Sequence, residues 1–149
     1  MEYISGQTRE RPTPELTPVK IPCIAGYWAE AWELLEPAAA RNGLHTKESV
    51  LAALLAGEFQ LWVVETDVML LAVITEIAEY PARRIASVEL LGGMDFDRCL
   101  PLFATIEAWA KECGCDRFVL RCRPGFTKKL EKIGYSLESV ALVKDFQDA

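Results

Sequence analysis

The sequence predicts an α/β (α+β) domain: a mixed, mostly antiparallel sheet containing one parallel crossover, with helices on both faces. Two segments with helical apolar spacing come first, three β-rich segments separated by short turns follow, and a strand, helix, strand succession comes after them. With 149 residues, 51% of them apolar, the chain is long enough to bury one core.

Residues 1–20 hold Pro12, Pro14 and Pro18 among polar side chains, which disfavours helix and predicts an extended arm ahead of a single domain over 21–149. From Ile24 to Ala40, Tyr27, Trp28, Ala31, Trp32 and Leu35 recur at helical spacing opposite Glu30, Glu33 and Glu36, so the two tryptophans are expected in the core. Thr46 then precedes KESVLAALLAG, where it can cap the first turn of a second helix that Gly57 closes. FQLWVVET, DVMLLAVITEIAEY and RRIASVELLGG read as consecutive antiparallel strands joined by short hairpins. Their long apolar runs predict cover on both faces.

After Gly92 and Gly93 the period changes. Leu102, Phe103, Ile106, Trp109 and Ala110 mark a helix over Leu100 to Lys111 that stops at Gly114, and DRFVLRCR returns to strand character. That succession favours a right-handed parallel crossover. FTKKLEKIG reads as a short helix ending at Gly134, and SLESVALVKDF as a closing strand.

Composition narrows the function. A formal net charge of −6 argues against a broad nucleic-acid footprint. No run approaches the roughly 20 apolar residues of a membrane span, and the first residues do not resemble a secretory signal, so a cytoplasmic protein is expected. The five cysteines include no CxxC pair, which favours free thiols over a metal site. With His45 the only histidine, a Ser-His-Asp or Cys-His nucleophile would have to use it.

The order of these segments, and the motifs LLAGEFQLWV, TEIAEYP, LLGG, WAKECGC, RPGFTKKLEKIGY and LVKDF, resemble the GNAT superfamily of acyl-CoA-dependent N-acetyltransferases. Within it they are most similar to small phage and prophage GNAT-like proteins, over about Ile24 to Phe146. The resemblance implies a GNAT-like acyltransferase fold, acetyl-CoA or CoA as cofactor, and an amine acceptor. It leaves two functions open: an acetyltransferase with a degenerate cofactor loop, or a non-catalytic phage or prophage protein that keeps the fold for structural or host-interaction work. A virion-associated location and a homo-oligomer are compatible with the second.

In the superfamily an [RQ]xxGx[GA] loop after the fourth strand holds the coenzyme A pyrophosphate. Glycine lets the main chain approach the phosphates there, and a helix start supplies donors. Ungapped comparison sets Met94 over the Arg or Gln, Asp97 over the first glycine and Cys99 over the second. A shift of a few residues brings Gly92 and Gly93 into the turn instead. The cofactor-binding candidates are therefore Leu91, Gly92, Gly93, Met94, Asp95, Arg98 and Arg123. Leu130 stands where many members carry the tyrosine that protonates the departing thiolate, and Tyr135 is expected to be structural. Glu89, on the strand before the loop, is the candidate general base, with Glu76 in reserve. The other reading of Glu89 is an ion pair with Arg83, Arg121 or Arg123.

Overall fold

The computed structural model describes residues 12–146. The earlier part of the expected N-terminal arm, and residues 147–149, lie outside the described residues. The described part of the expected extended arm supplies a strand, β1 (Glu15–Val19). Pro18 is tolerated because β1 is an edge strand, where a missing N–H costs little.

A 3₁₀ turn (Ile21–Cys23) leads into α1 (Ile24–Asn42). Gly43 then takes the left-handed conformation (φ 65°) and ends the helix. Helix α2 (Lys47–Leu55) opens on a capping box: Thr46 Oγ1 accepts from Ser49 N–H at 3.0 Å, and Ser49 Oγ accepts from Thr46 N–H at 2.9 Å. The expected meander follows as β2 (Phe59–Glu65), β3 (Met69–Glu79) and β4 (Arg84–Gly93), each antiparallel to the last. The next helix starts earlier than its periodicity suggested. It runs as α3 (Phe96–Cys99), a 3₁₀ turn (Leu100–Leu102) and α4 (Phe103–Glu112). A parallel crossover then delivers β5 (Arg117–Leu120) beside β4, and a 3₁₀ turn (Pro124–Phe126) leads to α5 (Thr127–Glu131).

Among the described residues the sheet order is β1-β2-β3-β4-β5. Each face carries a core, as the long apolar strand runs require. On one face α1 and α2 bury Trp28, Trp32, Leu35, Val50 and Leu54 against Leu61, Val63, Ala72, Ile74 and Leu90. On the other, Phe103 and Ile106 of α4 pack on Val64, Leu71, Val73 and Val88. Both tryptophans of α1 are core residues, their rings 5.5 Å apart. No helix among the described residues is long and apolar enough to cross a membrane.

Two strand expectations are corrected. DRFVLRCR pairs only over Arg117–Leu120, because the ladder with β4 ends at Val88 opposite Leu120. SLESVALVKDF forms no strand: residues 136–146 have no regular structure and are exposed. Alternating apolar residues give strand propensity, but a strand needs a partner. The chain touches the start of β5 only through side chains, Tyr135 against Phe118 and Glu138 on Arg117, and forms no ladder there.

The glycine pair has a packing role. A Cβ on Gly92 would lie 1.9 Å from the Leu34 carbonyl oxygen of α1, so the helix backbone rests directly on β4. A Cβ on Gly93, at φ 145°, would meet the Leu70 carbonyl oxygen of β3 at 2.1 Å. Gly26, by contrast, sits exposed in α1 with nothing within 4 Å of its would-be Cβ. Gly92→Ala should therefore destabilise the fold by about 1–3 kcal/mol, and Gly26→Ala should hold or raise stability by up to about 1 kcal/mol. Urea unfolding of both variants beside the parent checks the contrast in sign.

Candidate active site

The site begins with an irregularity in β4. Ile74 pairs with Leu90 and Thr75 with Val88, which leaves Glu89 as an extra residue between them, a β-bulge. Its effect is visible in the packing. Val88 and Leu90, two apart, would share a face in a regular strand, yet they belong to opposite cores. Pairing to β5 stops at Val88, so among the described residues Leu90–Gly93 has no strand neighbour on that side, and the two strands diverge.

The divergence opens a cleft of about 770 Å³. Its walls are Val88–Met94 from β4 and its exit, Leu120–Arg123 from β5 and the segment after it, and the Leu34, Pro37 and Ala38 side of α1. Phe126 and Leu130 close the far side. At that end Phe126 stacks edge-on against Phe96, 4.9 Å between centroids, and Lys129 Nζ lies 2.9 Å from Asp97 Oδ1. An aromatic contact and an ion pair thus tie the start of α3 to α5 across the cleft.

Of the candidates named from the sequence, Glu89, Leu91, Gly92, Gly93, Met94 and Arg123 line this cleft together. Asp95 and Arg98 are not among its lining residues. Asp95, at φ 56°, heads α3, and its Oδ2 is 3.2 Å from Arg98 Nη1; Arg98 Nη2 also donates to the Pro12 carbonyl. Met94 N–H donates to the Leu70 carbonyl at 2.8 Å, so this loop amide serves the sheet. The first amides of α3, at Phe96 and Asp97, have no intrahelical acceptor.

Glu89 lies in a polar group that the sequence did not bring together. Ser87 Oγ donates to Glu89 Oε2 at 2.7 Å, Arg121 Nη1 is 3.9 Å from the same oxygen, and His45 Nε2 is 3.9 Å from Oε1. The Glu89 side chain is 17% exposed, screened from bulk water but reachable. His45 is positioned by the turn between α1 and α2 and by edge contact with Phe59. Glu76, across the ladder on β3, has its carboxyl held above the usual range, first by burial and then by the Glu89 charge. His45 and Arg121 oppose that rise. Of this group, Glu89 and Arg121 line the cleft.

Tyr135 is elsewhere. Its hydroxyl donates to Glu107 Oε2 on α4, and burial, reinforced by that bond and by the Glu107 charge, pushes its ionisation far up. Leu130, 4% exposed, gives the cleft wall an apolar side chain. All five cysteines are free; Cys122 lines the cleft, and burial raises its thiol. His45 is the residue that sequence reasoning missed as a neighbour of Glu89. The only signal available was that it is the sole histidine, placed in a loop.

No protein-family model matches the chain, and no curated protein matches it in sequence. Solved structures do match. A GCN5-related N-acetyltransferase from Ralstonia eutropha superposes with TM-score 0.64 at 16% identity, over 89% of this chain and 98% of that one. Glucosamine-6-phosphate N-acetyltransferase from Arabidopsis thaliana gives TM-score 0.62 at 16% identity, over 91% and 99%. A ribosomal-protein-alanine N-acetyltransferase from Brucella melitensis gives 0.66 at 17% identity, over 90% and 99%. At such identities the likeness establishes architecture: this chain is built on the GNAT N-acetyltransferase fold.

Proposed function

We propose that the chain is an acetyl-CoA-dependent N-acetyltransferase whose cofactor enters the cleft between β4 and β5. The observation that carries this reading is the end of the β4–β5 ladder at Val88 and Leu120, which opens an apolar slot beside a carboxylate. The slot suits the cofactor's long, uncharged arm, with Val88, Leu90, Leu91 and Leu120 along its walls. The arm's phosphates would meet Arg123 and the first amides of α3, because Gly92 and Gly93 are already committed to packing. When bound, acetyl-CoA supplies an activated acyl group.

Glu89 is the proposed base. Ser87 holds one of its oxygens, and the other faces His45, so the carboxylate is oriented to take the proton of an incoming amine. Glu76 and Glu89 together give the acceptor end acidic character suited to a cationic amine. Leu130 cannot return a proton to the departing thiolate, so that proton would come from solvent or from the amine itself.

A second reading has its own support. Met94 N–H is taken by Leu70, Arg98 by Pro12 and Asp95, and Asp97 by Lys129. A loop so engaged by its own chain supports the reading without acyl transfer, in which a phage or prophage protein keeps the frame for structural or host-interaction work.

Calorimetric titration with acetyl-CoA and with CoA separates the two. The enzyme reading expects saturable heat, and Arg123→Glu should weaken affinity roughly tenfold, about 1.4 kcal/mol. Folded protein that gives no heat would sink the enzyme reading. Where transfer to an amine is measurable, Glu89→Gln should lower kcat by about 10²-fold with little change in KM; an unchanged kcat dismisses Glu89 as the base.

Glu76 gives a pH signature. A carboxyl raised in the folded state contributes stability that is whole below the unfolded range and is lost as pH rises through the folded value. Glu76→Gln removes that loss, so its melting temperature relative to the parent should climb as pH rises through and above the ordinary glutamate range, about pH 4. A difference that stays flat or falls over that range would contradict the assignment.

A further inference from the structure

Three arginines line the cleft, Arg41, Arg121 and Arg123, and among the described residues only Arg121 pairs with the proposed base. Its place follows from the ladder. Val88 opposite Leu120 is the last pair of β4 and β5, so Glu89 and Arg121 are the first residues past it on the two diverging chains. Arg121 Nη1 lies 3.9 Å from Glu89 Oε2, an oxygen that already accepts from Ser87 Oγ at 2.7 Å. The Arg121 side chain is 77% exposed, and among the described residues its guanidinium makes no hydrogen bond.

The other arginines with carboxylate partners are used differently. Arg84 donates to Glu79, Arg117 to Glu138, and Arg98 to Asp95 and to the Pro12 carbonyl. Those guanidinium groups are engaged by the fold. Arg121 instead lines the cleft with its donors unused, and an exposed pair at its separation from Glu89 adds little to stability. A planar guanidinium suits a carboxylate, which it can hold through two parallel hydrogen bonds.

A carboxylate and a guanidinium side by side are complementary to a ligand that carries the same two charges reversed. The amine and the carboxylate of an α-amino acid are held apart by a single carbon, a spacing that such a neighbouring pair can span. Glu76, whose carboxyl feels the Glu89 charge, adds a second acidic group that favours an ammonium there.

We propose that the acceptor is a free α-amino acid, its carboxylate bound by Arg121 and its nitrogen directed to Glu89. This rests on the acetyltransferase reading and narrows its substrate. The N–C bond forms as the thioester C–S bond breaks. Of the two protons the ammonium gives up, one passes through Glu89 to solvent and the other goes to the departing thiolate, leaving an N-acetyl amino acid and a free thiol. Arg121 sets specificity and takes no part in the bond changes.

Thiol release from acetyl-CoA, measured with each common L-amino acid and with its carboxamide, tests this, because the carboxamide keeps the amine and loses the negative charge. At least one free amino acid is expected to exceed its carboxamide by about tenfold or more in kcat/KM. Arg121→Gln should erase that difference through a higher KM for the free amino acid, with kcat nearly kept, and Arg121→Lys should restore part of it. A readout besides turnover comes from ¹⁵N-labelled arginine. With CoA bound, the Arg121 side-chain signal, identified by its loss in Arg121→Gln, should move when that amino acid is added and stay still with the carboxamide. Carboxamides used as well as free amino acids, or a preference that survives Arg121→Gln, would overturn the proposal. Saturable CoA heat with no transfer to any free amino acid also overturns it, while leaving the acetyltransferase reading in place; folded protein that gives no CoA heat sinks both.

Discussion

One extra residue in β4 governs this molecule. A regular strand would send Val88 and Leu90 to the same side of the sheet; the bulge at Glu89 sends them to opposite sides, so each core receives the side chain it packs around. The same bulge marks the point where β5 ceases to follow β4. The cleft and the carboxylate beside it therefore share one cause, the end of the β4–β5 ladder at the bulge.

The neighbouring glycines show how closely packing constrains that centre. Gly92 lets α1 lie on β4 with its Leu34 carbonyl against the strand, and Gly93 lets the end of β4 approach Leu70. Both residues line the cleft, but each is already required by the fold. Glycine before a helix signals close backbone approach, and here what approaches is the protein's own backbone. Any anion held at this end must rely more on cationic side chains and on the first amides of α3 than on a free glycine loop.

Much of the fold was legible from the order of hydrophobic periods: the tryptophan-bearing helix, the Thr46 cap, the three-strand meander and the crossover each rest on local signals that the structure keeps. The site was legible only in part. Glu89 and the loop after it could be named, because a strand running into glycines before a helix is a local pattern. The bulge could not, since register is a property of two strands. Nor could the approach of His45, which lies far from Glu89 in sequence and reaches it only through the packing of α1 and α2 on the sheet. The strand at Glu15–Val19 was hidden by its prolines, which an edge position tolerates. The strand expected after Tyr135 failed for the opposite reason: its apolar alternation is real, but propensity does not supply a partner.

The central claim is that the divergence of β4 and β5 at the Glu89 bulge forms a cleft for an acyl-CoA. Amide chemical shifts of ¹⁵N-labelled protein titrated with CoA test it most directly. The account predicts saturating shifts concentrated in Val88–Met94, Phe96, Asp97 and Leu120–Phe126, with β1 and the exposed face of α2 unmoved. Saturating shifts centred outside the cleft, or no shifts at all in folded protein, would contradict it.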